Sequence, residues 1–310
     1  MRPILLLFAS LLLTPVAYAS DSPVLLTSWG GHGSGPGQFD HPRDVAIAPD
    51  GNVYVVDRGN NRVQYFTSAG AYVGEWGVSG SAPGQFQTPQ AIAIDKDGDV
   101  YVSDAADRVQ KFTAAGAYLM SFADPQIAAP RGVAVDLDGN LYVGNGYPYY
   151  LLKFDASGQF LMSFTSQLSN GLSLECDGQG SIFVNGGRLH MQRFSSEGAL
   201  LAYTPGSADP EAGSQGLSVD PQGNVEFVST YLGYPDEILV WSNDFLKQLD
   251  KWLPPKPQGA AAPSIADLAA GPNGEMYLAD FANDLILKVQ YTAPVPTVTL
   301  TWGSLKATYR

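Results

Sequence analysis

From Pro42 to Gly77 the chain reads PRDVAIAPDGNVYVVDRGNNRVQYFTSAGAYVGEWG. DVAIA is a short apolar run suited to a strand buried on both faces. PDGN follows, and Asp-Gly between two strand-like runs marks a hairpin, because the tight turn needs positive φ. NVYVVD is a second strand, rich in β-branched and aromatic residues. RGNN turns the chain again. RVQYF alternates apolar and polar, so one face looks inward. SAG makes a third turn and AYVGEWG a fourth strand. Four antiparallel strands cannot bury both of their faces alone, so the unit predicts stacking on copies of itself.

The copies are present. SWGGHGSGPGQFDHPRDVAIAPDG from Ser28 aligns without gaps on EWGVSGSAPGQFQTPQAIAIDKDG from Glu75, at an offset of 47 residues. Later copies end at Phe122, Phe164, Thr204, Trp252 and Thr292; the fourth is degenerate, the fifth matches weakly, and the sixth has three strands only. VLLTSWG, ending at Gly30, is a fourth-type strand with no first three before it. An orphan strand at the start and a missing one at the end predict a closed ring. The expected fold is an all-β, six-bladed propeller of four-stranded antiparallel blades. Its last blade is closed by the N-terminal strand, which removes the open edges.

The 310 residues include 34 Gly and 22 Pro and are 45% hydrophobic, which suits a sizeable core built from short strands. A net charge of −13 without a basic stripe argues against nucleic acid as a partner. Residues 1–19 read as a signal peptide: Arg2, then ILLLFASLLL, too short to span a bilayer, then Ala17-Tyr18-Ala19 before a cut after Ala19. A secreted or periplasmic protein is expected, with no membrane span after cleavage. No Cys follows the apolar run, so no lipoprotein anchor is indicated. Cys176 is the only cysteine, which leaves no intrachain disulfide and reads as a small buried hydrophobe. Residues 20–292 form the expected propeller and 293–310 a Pro-containing linker with a short tail. Within that tail VTLTWG is a second possible closing strand, but without the ungapped register of the first. A monomer is expected.

The carrying motifs are P-x-x-[VI]-A-[VI], the D-G-[ND] turn and the V-Y-V-x-D strand. Asn60, Asn61, Arg62 and Val63 follow that strand in the first copy, and Asp107, Arg108 and Val109 in the second. The units resemble NHL repeats, in a protein of the secreted bacterial type, over most of Leu25–Thr292. The resemblance implies a six-bladed propeller. It does not imply one function, since the repeat serves unrelated roles, and function must be argued from a site.

In a propeller the first strands line a central channel, and the loops leading into them share a face with the loops after the second strands. The lead-in positions carry Arg43, Gln90, Arg131, Asn170, Gln215 and Asp267. The second-strand ends and their loops carry Asp57, Arg58, Asp104, Asn145, Asn185 and Asp280. NGYPYY and STYLGYPDE add Tyr147 and Tyr231. Polar groups ringed by tyrosine suit a concave site for a small molecule, a glycan or a protein segment. The plainer reading of Asp57 with Arg62, and of Asp104 with Arg108, is a tie between turns. Such a pair is worth about 0–1 kcal/mol if partly exposed.

Specific chemistries fare less well. An amidating lyase with a related propeller uses a His-coordinated zinc, and a catalytic zinc wants about three protein ligands. The three histidines here are His32, His41 and His190, and the first two match Ser79 and Thr88 one repeat on. DKDGD (Asp95–Asp99) and DLDGN (Asp136–Asn140) put Gly fourth rather than sixth, and Ala106 and Tyr147 stand where a calcium loop needs its twelfth-position acid. They read as hairpin turns. GHGSGPG (Gly31–Gly37) has no P-loop lysine after it, and no nucleophile elbow is present. Gluconolactonase-like propellers hold a metal in the channel through carboxylates and amides, for which Asp267, Asn170 and Asp57 are candidates. The expectation is a binding propeller without catalysis and without a cofactor. The alternative is a metal-dependent lyase or hydrolase with its site at the channel mouth.

Overall fold

The computed structural model describes residues 23–146, 149–165, 173–186, 190–204, 212–231, 236–242, 244–245 and 248–291. Residues 1–22, with the expected signal peptide, and residues 292–310 lie outside them. Six four-stranded antiparallel sheets form a ring of blades. The first blade is β2 (Pro42–Ile47), β3 (Val53–Asp57), β4 (Arg62–Phe66) and β5 (Tyr72–Trp76). The second is β6 (Pro89–Ile94), β7 (Val100–Asp104), β8 (Arg108–Phe112) and β9 (Tyr118–Phe122). The third is β10 (Pro130–Val135), β11 (Leu141–Asn145), β12 (Tyr150–Phe154) and β13 (Phe160–Thr165). The fourth is β14 (Ser173–Cys176), β15 (Ser181–Gly186), β16 (His190–Ser195) and β17 (Leu200–Tyr203). The fifth is β18 (Ala212–Val219), β19 (Val225–Tyr231), β20 (Glu237–Trp241) and β21 (Gln248–Trp252). The sixth is β22 (Ile265–Ala270), β23 (Glu275–Asp280) and β24 (Leu285–Gln290), completed on its outer edge by β1 (Val24–Gly30).

The ring therefore closes as the orphan strand required. β1 pairs antiparallel with β24, Trp29 opposite Ile286 and Gly30 opposite Leu285. Trp29 packs on Phe66 and Tyr277, so it bridges the last blade to the first. Gly70, in the turn after β4, has φ +85°, and a Cβ there would lie 2.7 Å from the Trp29 ring. Gly116 meets Trp76 in the same way at the next seam. Both the turn and the indole contact require glycine.

Aromatic second strands fill the spaces between blades. Tyr54, Tyr101, Tyr142 and Tyr277 are fully buried at equivalent places. The Tyr54 hydroxyl donates to Ala114 O and that of Tyr277 to Ser68 O, each in the following blade. In the fifth blade Glu226 takes this place. It is buried, its Oε2 has no hydrogen-bond partner among the described residues, and burial pushes its carboxyl well above the ordinary range.

The Asp57–Arg62 tie is not a surface pair. Asp57 is completely buried and the Arg62 side chain is 7% exposed. Arg62 Nε donates to Asp57 Oδ2 (2.7 Å), and its terminal nitrogens reach Glu75, Ser34 O, Gly35 O and Gln38 O. Gln64 joins by accepting from Gly37 N and donating to Gln38 O. The Gly-rich loop is thus held by the R-V-Q of β4. Arg108 and Gln110 hold Ser81 O, Gln85 O and Gly84 N one repeat on. The estimate for an exposed pair does not apply to such a buried, multiply bonded group.

Candidate functional site

The inner strands β2, β6, β10, β14, β18 and β22 surround a central channel with a cavity of about 160 Å³. Typical small-molecule sites hold roughly 300–1,000 Å³. The channel therefore suits one terminal group of a ligand, with the remainder outside on the loop face.

Arg43, Gln90, Arg131 and Gln215 line the channel. Each stands at the lead-in of its strand, as the repeat register predicts. Arg43 Nη1 donates to Gln215 Oε1 (3.3 Å), which joins the first blade to the fifth across the opening. Arg58, in the turn after β3, belongs to the same group. Desolvation lowers its pKa first, and the charges of Arg43 and Arg131 lower it further. Its buried Nε has no hydrogen-bond partner among the described residues. The ion pairs of the described residues involve other cations, none of these three arginines. Three arginines gathered in a strongly acidic chain, with no carboxylate salt-bridged to them, form an anion-attracting mouth.

Carboxyl groups lie further in. Asp44 stands opposite Val56 and Asp267 opposite Ala279, the same place in their blades, so Ala266 is the counterpart of Arg43. Asp44 Oδ2 accepts from Ile92 N (2.9 Å), while Asp267 accepts from Leu217 N and Val45 N (both 3.3 Å). The two carboxyls also hydrogen-bond to each other, which requires a proton between them. Burial raises both, and the neighbouring Asp44 charge raises Asp267 further, so the pair keeps a proton where free carboxyls would lose theirs. Glu175 is pushed up to about 8, first by burial and then by Asp44. The turn bond Asp177 N to Ser181 O matches Ala48 N to Asn52 O, which sets Glu175 where other blades carry Ala46, Ala93, Ala134 and Ala269.

The other sequence-derived positions are placed differently. Asp57 accepts from Asp40 N, Asn60 and Arg62; Asp104 accepts from Gln87 N, Ala106 N and Arg108. Asn145 accepts from Ala128 N and donates to Gln126 O, and Asp280 accepts from Ser264 N and Asn283. These four are completely buried latches between a second strand and the loop leading into its own blade. Asn185 donates to Gly216 O (2.9 Å), and Gly186, by register, takes the Asp57 place in the fourth blade. Tyr147 and Asn170, and the side chain of Tyr231, lie outside the described residues.

Sequence reasoning passed over Asp44 and Glu175. The signal for each was a carboxylate interrupting an apolar first strand, in DVAIA and SLEC. DKDGD and DLDGN are hairpin turns, with Asp95 and Asp136 each accepting two backbone N–H groups of their own turn.

An NHL repeat model matches residues 39–66, the core of the first blade. No curated protein matches the sequence. Solved structures match across the ring. A streptogramin B lyase is 14% identical with a TM-score of 0.61, covering 86% of this chain and 98% of that one. A catalytically inactive histidine-to-alanine variant of virginiamycin B lyase from Staphylococcus aureus, with quinupristin, is 14% identical with a TM-score of 0.60, covering 87% and 99%. U3-55K is 13% identical with a TM-score of 0.60, covering 77% and 74%. At this identity the likeness is one of fold. The repeat match at residues 39–66 and the ring of six closed blades support an NHL-repeat propeller family.

Proposed function

We propose that this propeller is an exported binding protein that takes the acid group of a small anionic ligand at its channel mouth, without a reaction. The observation that carries this reading is the cluster of Arg43, Arg58 and Arg131, with the buried Arg58 Nε unpartnered. A carboxylate or phosphate would supply the missing acceptor, and guanidinium groups recognise both in a bidentate manner. Gln90 and Gln215 add neutral donors beside them. The narrow cavity suits the acid group, and the loop face would hold the rest of the ligand.

The competing reading is a metal-dependent lyase or hydrolase. The lyase-like fold of the structural neighbours is compatible with it. Its candidate ligand Asp57 is already occupied by Asn60, Arg62 and a backbone N–H. Among the described residues, the one group of three His, Cys, Asp or Glu ligand atoms close enough for a metal lies elsewhere, at His32, Asp40 and Asp284. The test is thermal melting in citrate and in inorganic phosphate against chloride at equal ionic strength. A ligand bound to the folded state raises Tm. The rise is expected in the wild-type chain and lost in Arg131→Ala. An equal rise in the variant would contradict the reading.

A further inference from the structure

The seam where the ring closes carries side chains that the seam one repeat on lacks. The first two seams and the closing seam share one latch. A residue after a second strand accepts the backbone N–H of a residue with positive φ at the lead-in of the next blade. Asn61 accepts from Thr88 N (2.7 Å), Asp107 from Ala129 N (2.7 Å) and Asp284 from His41 N (2.6 Å). The lead-in residues have φ of 58°, 44° and 57°. One side-chain oxygen therefore accounts for the latch, as Asn61 demonstrates with its amide.

At the closing seam the second oxygen is also engaged. Asp284 Oδ2 lies 3.0 Å from His32 Nδ1. Asp40 stands beside them, and one ligand atom from each of His32, Asp40 and Asp284 falls within 4.8 Å of the other two. His41 Nδ1 bonds Asp40 Oδ1 (2.5 Å), and its ring rests on Phe281 at 4.5 Å. One repeat on, the shared backbone carries Ser79, Gln87 and Thr88 in place of His32, Asp40 and His41, and Asn61 fills the role of Asp284. The architecture works there without a carboxylate or an imidazole. The four groups at the closing seam are thus additions to the fold, not requirements of it.

We propose that this seam binds a first-row divalent cation through His32, Asp40 and Asp284, with His41 orienting the Asp40 carboxylate. One imidazole and two carboxylates form a mixed nitrogen and oxygen set, which suits zinc or its neighbours better than calcium, a cation that takes six to eight oxygens. Three protein ligands leave further positions to water. A second carboxylate partner such as His41 is the usual way a ligand is oriented. The three ligands come from the loop after β1, the lead-in to β2 and the turn between β23 and β24. A bound ion would therefore tie the loop between β1 and β2 to the turn before β24, and would stabilise the last blade, where β1 is held to β24 by strand pairing alone.

The test is calorimetric titration of the purified, chelator-treated chain without a histidine tag, using ZnCl2 and CaCl2, together with melting curves. One zinc per chain, a raised Tm and weaker calcium binding are expected. Asp284→Asn keeps the latch oxygen, as Asn61 does, and removes the ligand charge. His32→Ala removes a side chain that is 75% exposed, so the metal-free Tm should not move. Each variant is expected to lose at least about tenfold in zinc affinity. The proposal is overturned if zinc does not saturate, if both variants bind it as the wild type does, or if calcium binds as tightly as zinc.

Discussion

Asp44 and Asp267 share a hydrogen bond across the boundary between the first and last blades, in the wall of the channel. Each also accepts backbone N–H groups of a neighbouring blade, so the pair replaces part of the seam's hydrogen bonding with side chains. The arrangement stays neutral enough to exist because burial raises both acids, and the Asp44 charge adds to the rise at Asp267. The folded pKa of Asp267 lies well above the ordinary 3.8, so the folded chain binds a proton that the unfolded chain releases. That contribution to stability is complete below about pH 4 and declines as pH rises toward the folded value. Asp267→Asn can donate the same hydrogen bond without a titrating group. Its Tm is expected to gain on the wild type progressively above pH 4, and parallel pH profiles would contradict the shared proton.

Glu175 and Glu226 extend the same sign. Both are acids raised by burial, Glu175 to about 8 from an ordinary 4.5. Stability is expected to fall between about pH 4.5 and pH 8 as the unfolded chain ionises and the folded chain resists. Channel water tempers this for Glu175, which is partly exposed to the channel, whereas Glu226 is enclosed. Glu226→Gln should therefore raise the melting temperature at pH 8 and leave it nearly unchanged at pH 4. Replacement by Tyr, the residue at this place in four other blades, should do the same if the space admits the ring.

Arg62→Ala would leave the buried Asp57 carboxylate without its cation and take one donor from each of three carbonyls of the Gly-rich loop. Breaking one side of such a buried pair costs about 3–5 kcal/mol. Urea denaturation is expected to detect a loss of this size. A loss near that of an exposed pair would mean that the loop rearranges to cover Asp57.

Deleting Val24–Gly30 removes β1, bares the β24 edge and takes Trp29 from between Phe66 and Tyr277. Aggregation, or melting without a cooperative transition, is the expected outcome. Deleting residues 298–310 should leave Tm unchanged, since β1 already fills the closing position.

The ring was legible because its signals are local and repeated. Asp-Gly turns, the period-2 strands and the ungapped offset linking Trp29 to Trp76 sufficed to number the blades and to assign the closing strand. The site was legible only in part. Arg43, Gln90, Arg131 and Gln215 reach the channel because they sit next to the lead-in bulge of their strands, a position the repeat marks. Asp57, Asp104, Asn145 and Asp280 looked equally available, yet each also accepts a backbone N–H from the loop leading into its own blade, a partner that the local sequence does not show. Asp267 aligned with Arg43 by eye, whereas the bulge register pairs it with Asp44. The histidines at 32 and 41 looked isolated because their partner, Asp284, lies at the other end of the chain and meets them only when the ring closes.

The central claim is that the arginine mouth binds an acid group. Calorimetric titration of citrate into the purified chain, repeated with Arg58→Gln combined with Arg131→Ala, tests it most directly. Saturable one-to-one binding that weakens with salt and is lost in the double variant is expected, with an unchanged fold by circular dichroism. Binding of equal strength in the double variant, or none in the wild type for citrate and phosphate alike, would contradict it.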